Sequence, residues 1–94
     1  MKATVIARSL SKAMKTCMKK SSSSPRLIFN EDGILVASST KKPIKVEGKV
    51  EKTGWGHIEY DRAQRIVQLL DVMDDREVTI SYEGNWVRFV DLLL

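Results

Sequence analysis

The sequence predicts an α+β fold, a duplicated strand-helix-hairpin unit whose two helices pack on one face of a mainly antiparallel sheet. Three observations carry this expectation. Apolar residues recur twice at helical spacing, at Leu10, Ala13, Met14, Cys17 and Met18 and again at Ala63, Ile66, Val67, Leu70 and Met73, so each stretch has one apolar stripe and one polar face. Each is followed by two β-prone runs around a reversal containing an acid and a glycine, NEDG in the first half and EG in the second. The spacing also repeats: Leu10, Ala13, Met14 and Cys17 match Ala63, Ile66, Val67 and Leu70 at an offset of 53, and RLIFNEDGILVAS matches EVTISYEGNWVRF at an offset of 51, aligning Gly33 with Gly84. The two-residue difference is assigned to the linker after the first helix. At 94 residues the chain is one domain, 1–94, with pseudo-repeats of approximately 1–52 and 53–94.

Taken in order, Lys2 to Arg8 alternates, with Ala3, Val5 and Ala7 on one side and Thr4, Ile6 and Arg8 on the other, and reads as a strand. Ser9 offers an N-cap for a helix of about three turns, and the following SSSSP is a polar linker whose proline forbids continuation. Pro25 to Thr40 is a hairpin turning across Asn30, Glu31, Asp32 and Gly33. After the STKKP break, Ile44, Val46 and Val50 keep period-two spacing through KPIKVEGKVEK, one charged strand loosened at Gly48. Thr53-Gly54-Trp55-Gly56 reads as a turn and His57 to Tyr60 as a short strand. The second helix is expected from Asp61 to Met73, with Asp61 as cap and Gln64 three residues on completing a capping box. Asp74-Asp75-Arg76 is a turn, Glu77 to Tyr82 a strand, Glu83-Gly84-Asn85 a reversal and Trp86 to Val90 the returning strand. The terminal Asp91-Leu92-Leu93-Leu94 is apolar enough to dock in the core or on a neighbour.

The net charge of +4 is unevenly distributed. Through Lys52 there are 12 Lys and Arg against 4 acids, and from Thr53 onward 4 against 8. Two meanings fit: an anionic partner for the first half, or contact between basic and acidic surfaces of neighbouring subunits; a solvated charged surface is at least as common. No apolar run approaches the ~20 residues of a membrane span, and the first residues lack the apolar core of a secretory signal. The expectation is therefore a cytoplasmic protein with no membrane partner. The single cysteine cannot form an internal disulfide.

Cations form the clearest candidate site. Lys12, Lys15 and Lys19 share one sector of the first helix, with Arg8 before them and Lys20 at the flank; the second helix offers Arg62, Gln64, Arg65 and Gln68. Flexible point charges at this spacing suit phosphate oxygens, although a solvated helix face is the commoner meaning of such a stripe. Trp55, between two glycines, and Trp86, beside a reversal, can anchor a partner, as can Leu92, Leu93 and Leu94; core or rim packing is the commoner fate of the tryptophans. His57 has no second histidine or ligand-spaced cysteine, so no metal is expected. Cys17 belongs to an apolar stripe and reads as a core thiol, and Asp71, Asp74, Asp75 and Glu77 as solvated acids near a helix end. With no phosphate-cradling loop, paired catalytic carboxylates or nucleophile–base pattern, neither catalysis nor a cofactor is expected.

In layout the chain resembles the domains of processivity sliding clamps, the bacterial beta clamp and proliferating cell nuclear antigen group. The resemblance runs through ARSLSKAMKTCMKK as first helix, RLIFNEDGILVASS as hairpin, and HIEYDRAQRIVQLLDVMDDREVTISYEGNWVRF as second helix and hairpin. It implies a domain of two such units, six domains closing a ring, and helices with basic faces lining a hole for duplex DNA. Carried over, Lys12, Lys15, Lys19, Arg62 and Arg65 would face the DNA backbone, and a polymerase or other replication protein would be tethered. A family subunit holds two or three domains and this chain one, so a ring would be a homo-oligomer of six copies joined through sheet edges. The second half also stops a strand short of the first. The rival expectation is a clamp-fold adaptor or inhibitor that captures a protein through a sheet edge, Trp55 or the C-terminal tail.

Overall fold

Alternation and helical spacing place the elements in order along the chain. The computed structural model describes residues 1–18, 24–38, 42–83 and 86–91. They form β1 (Lys2–Ile6), α1 (Ala7–Met18), β2 (Arg26–Asn30), β3 (Gly33–Ala37), β4 (Ile44–Val46), β5 (Gly48–Lys52), β6 (Gly54–His57), α2 (Tyr60–Met73), β7 (Glu77–Glu83) and β8 (Trp86–Asp91). The result is an α+β domain with two helices packed against antiparallel sheets. Among the described residues no helix is long and apolar enough to cross a membrane.

The strands divide between two four-stranded sheets, ordered β5-β1-β7-β8 and β4-β3-β2-β6. The division falls inside KPIKVEGKVEK, which the sequence presents as one strand. Residues 44–46 pair with β3, residues 48–52 pair with β1, and Glu47 lies between the two. Gly48 makes the crossing possible. Its φ is +158°, and a Cβ there would run into the carbonyl oxygen of Thr4 and lie 3.0 Å from the Cα of Val5, so β5 approaches β1 too closely for any side chain.

Each half of the chain lends its first strand to the other half's hairpin. β1 pairs with β7, joining Ile6 to Glu77 and Ala3 to Ile80; β6 pairs with β2, joining His57 to Arg26 and Gly54 to Phe29. These two registers superpose at a constant offset of 51. The helices keep their offset of 53 because Ile58 and Glu59 intervene between β6 and α2, whereas α1 follows β1 directly. Part of the spacing difference thus lies before α2.

The core sits between helices and sheets. Leu10, Ala13, Met14 and Cys17 of α1 and Ala63, Ile66, Val67 and Leu70 of α2 are buried with Ala3, Val5, Leu27, Phe29, Ile34, Val36, Val46, Val78 and Ile80 from the strands. Helix α1 lies against α2, β1, β3 and β4. The Sγ of Cys17 donates to the carbonyl of Val36 at 3.6 Å.

Three local expectations are corrected. Helix α1 begins at Ala7, so Ser9 is inside it and not its cap; the Ser9 hydroxyl accepts the Glu47 amide at 3.3 Å. The amides of its first turn, which have no partner within the helix, are met from afar, Ala7 N–H donating to the Arg76 carbonyl at 2.9 Å and Arg8 N–H to that of Asp74 at 2.8 Å. Helix α2 begins at Tyr60 with Glu59 in the N-cap position and no side-chain cap. Asp61 therefore stands in the first turn, where its charge favours the helix dipole, and Gln64 donates to the Tyr60 hydroxyl at 3.3 Å. Finally, residues 54–56 belong to strand β6, which ends at His57, so the expected turn and the strand from His57 to Tyr60 are both displaced. The glycines of this strand leave room for distant side chains: a Cβ at Gly54 would lie 2.8 Å from the Cβ of Met1, and one at Gly56 2.5 Å from the ring of Tyr82. The Tyr82 hydroxyl then donates to the His57 carbonyl at 3.0 Å.

Candidate nucleic-acid interface

The buried stripe of α1 turns Arg8, Lys12 and Lys15 outward, and all three are exposed. The buried stripe of α2 does the same for Arg62, Gln64, Arg65 and Gln68. The two helices run in opposite directions side by side, since the start of α1 contacts the residues that end α2. Lys19, Lys20, Leu92, Leu93 and Leu94 lie outside the described residues, and Trp86 outside those whose side chains are described.

Acids enter this surface. Arg8 reaches Asp74 at 3.6 Å through its terminal nitrogen and Asp75 at 3.4 Å through Nε. Lys15 Nζ stands 2.7 Å from Asp71 Oδ2, and the Ser11 hydroxyl donates to Asp71 Oδ1. Hydrogen bonds from Lys15 and then Ser11 hold the Asp71 carboxyl below the ordinary aspartate range, against a smaller opposing effect of desolvation. Thus Asp71, Asp74 and Asp75 are not merely solvated acids; they neutralise two cations of α1. At the surface such pairs are screened by solvent and contribute little to stability.

Lys12 differs from its neighbours. No ion pair among the described residues holds it, and its backbone carbonyl accepts the Thr16 hydroxyl at 2.9 Å. Together Arg8, Ser11, Lys12, Lys15, Leu70 and Asp71 line most of an open cleft of about 380 Å³ between the helices. Three cations line it, and two of these, Arg8 and Lys15, are paired with carboxylates.

Two exposed apolar side chains on α2 were not singled out in sequence. Leu69 is 45% exposed and Val72 is 80% exposed. Val72 follows Gln68 by four residues and Arg65 by seven, so it shares their face. The signal was available, because neither residue fits the stripe of Ala63, Ile66, Val67 and Leu70.

Trp55 stands where a partner could reach it. It is 62% exposed, with the Arg26 guanidinium 5.1 Å from its ring centroid and the His57 ring edge-on at 5.8 Å. Arg26 also lies 3.2 Å from His57 Nε2. Sequence reasoning placed Trp55 and missed Arg26, which the strand register alone brings opposite His57. Among the described residues no group of three or more His, Cys, Asp and Glu side chains is placed to hold a metal ion.

No protein-family model matches the chain, and no curated protein or solved structure matches it either.

Proposed function

We propose that this protein is a sliding-clamp-like tether that binds duplex DNA through its phosphates, without sequence preference and without catalysis, as copies joined through sheet edges. One observation supports this most: two antiparallel helices, side by side above the core, expose Arg8, Lys12, Lys15, Arg62 and Arg65 together. Cations on adjacent helices suit a phosphate backbone, which requires charge and reach but no base geometry. The sheets also end in strands with one neighbour each, β5 and β8 in one and β4 and β6 in the other, which suits edge-to-edge assembly. A polymerase or other replication protein is the partner such a tether would hold.

The test is mass determination in solution with and without closed circular DNA. A six-copy species retained on circles and lost from linear ends is the expected result, and a monomer at every concentration overturns the ring. DNA affinity that stays flat between low and moderate salt overturns the phosphate contact. A second reading, a protein-binding adaptor or inhibitor, is favoured by Val72 and Leu69, whose apolar groups stand among the α2 residues that would face DNA. Under that reading Val72→Asp abolishes partner capture and leaves DNA affinity low in every variant.

A further inference from the structure

The sheet β4-β3-β2-β6 turns its core residues Leu27, Phe29, Ile34, Val36 and Val46 toward the helices, so the alternate positions face away from them. The pairing sets these outward residues in rows. Trp55 is opposite Ile28, Ile28 opposite Leu35 and Leu35 opposite Lys45, one continuous row across all four strands. His57 and Arg26 begin the next row. Four strands span about 14 Å at their ordinary separation. Along the first row Ile28 and Leu35 are half-buried, between exposed Trp55 and exposed Lys45. None of the outward strand positions, from Arg26 through Leu35 and Lys45 to His57, carries a carboxylate.

We propose that this face binds single-stranded nucleic acid, with bases stacked on Trp55 and laid along Ile28 and Leu35, and phosphates met by Arg26 and Lys45. An exposed indole accepts any base, because every base has a π-face, and the Arg26 guanidinium, over one face of the ring at 5.1 Å from its centroid, adds a cation there. The row is apolar along its middle, with Lys45 at one end and Arg26 beside Trp55 at the other, so bases can turn onto the apolar groups while phosphates reach the cations. Duplex DNA hides its base faces and gains nothing from Trp55. The site lies on the far side of the sheet from α1 and stands independently of the helix-face reading.

The test is fluorescence anisotropy of labelled oligodeoxyuridine and oligouridine of about 12 nucleotides, a length within the range of a single sheet-based site, titrated with the full chain. Binding of either oligonucleotide that weakens with salt is expected, the tighter of the two naming the preferred sugar. Trp55→Ala is expected to weaken it about tenfold or more, and Trp55→Phe to keep it within about threefold. Lys45→Ala is expected to reduce the salt slope by about 0.7, and Lys12→Ala to leave single-strand binding unchanged while it alters duplex binding. Unchanged affinity in a folded Trp55→Ala chain overturns the proposal, as does loss of single-strand binding in Lys12→Ala. A glutamate-rich peptide bound more tightly than both oligonucleotides assigns the face to a protein and overturns it too.

Discussion

Lys15 of α1 and Asp71 of α2 meet at 2.7 Å, and Ser11, one turn before Lys15, donates to the other oxygen of the same carboxylate. One aspartate thus joins the two helices through a cation and a hydroxyl. Its lowered pKa has a definite sign for stability. The ionised form is favoured in the folded chain, so its contribution is fully present above the ordinary aspartate value of about 3.9 and is lost as pH falls through the lower folded value. Melting curves of wild type and Asp71→Asn should therefore be separated near neutral pH and converge on acidification. A separation that holds constant down to the acid limit would contradict the assignment.

If the helix face meets DNA as proposed, the acids at the end of α2 should restrain that binding. Asp74→Asn with Asp75→Asn leaves Arg8 without its two carboxylate partners. Duplex affinity should rise, and the slope of log affinity against log salt should steepen by about 0.9 if Arg8 becomes a phosphate contact. Titration of a labelled duplex at several salt concentrations reads both quantities, and an unchanged slope would remove Arg8 from the interface.

Gly48→Ala should be more damaging than Gly33→Ala. At Gly48 a methyl group meets backbone atoms of Thr4 and Val5, which cannot swing aside; overpacking of this kind costs about 1–3 kcal/mol. At Gly33 the φ of +132° strains an L-residue, but the nearest atom is the flexible end of Lys45 at 3.6 Å. Denaturant midpoints of the two variants give the order directly.

Neighbouring apolar residues of α2 should behave in opposite ways. Leu70 is fully buried, and Leu70→Ala should cost about 2–5 kcal/mol. Val72, two residues on, is 80% exposed, and Val72→Ala should change stability by no more than about 0.5 kcal/mol. Equal losses in urea unfolding would mean that α2 packs with a different face inward.

The parts of the fold legible in sequence were those set by local periodicity. Leu10, Ala13, Met14 and Cys17, and Ala63, Ile66, Val67 and Leu70, are buried as their spacing required, and the hairpin turns at Glu31 and Asp32 between β2 and β3. What local pattern misread depends on residues far along the chain. Gly54 and Gly56 resemble turn glycines until Met1 and Tyr82 are placed against them. Ser9 and Asp61 look like caps, yet the first amides of α1 are met by carbonyls of Asp74 and Arg76. At the site the same limit holds: the cations of α1 were readable from their spacing, whereas the acids that neutralise two of them come from the end of α2.

The exchange of first strands also sets an order of events for a chain that is folding. The hairpin β2–β3 closes across two residues and can form early. β1 cannot complete its sheet until β7 exists, because Ile6 must find Glu77 and Ala3 must find Ile80. A ribosome therefore releases β1 well before its partner has been made, and the whole intervening chain must be gathered in before that sheet closes. Closure of β1 on β7 is a long-range, entropically costly pairing, whereas the hairpin β2–β3 closes on itself.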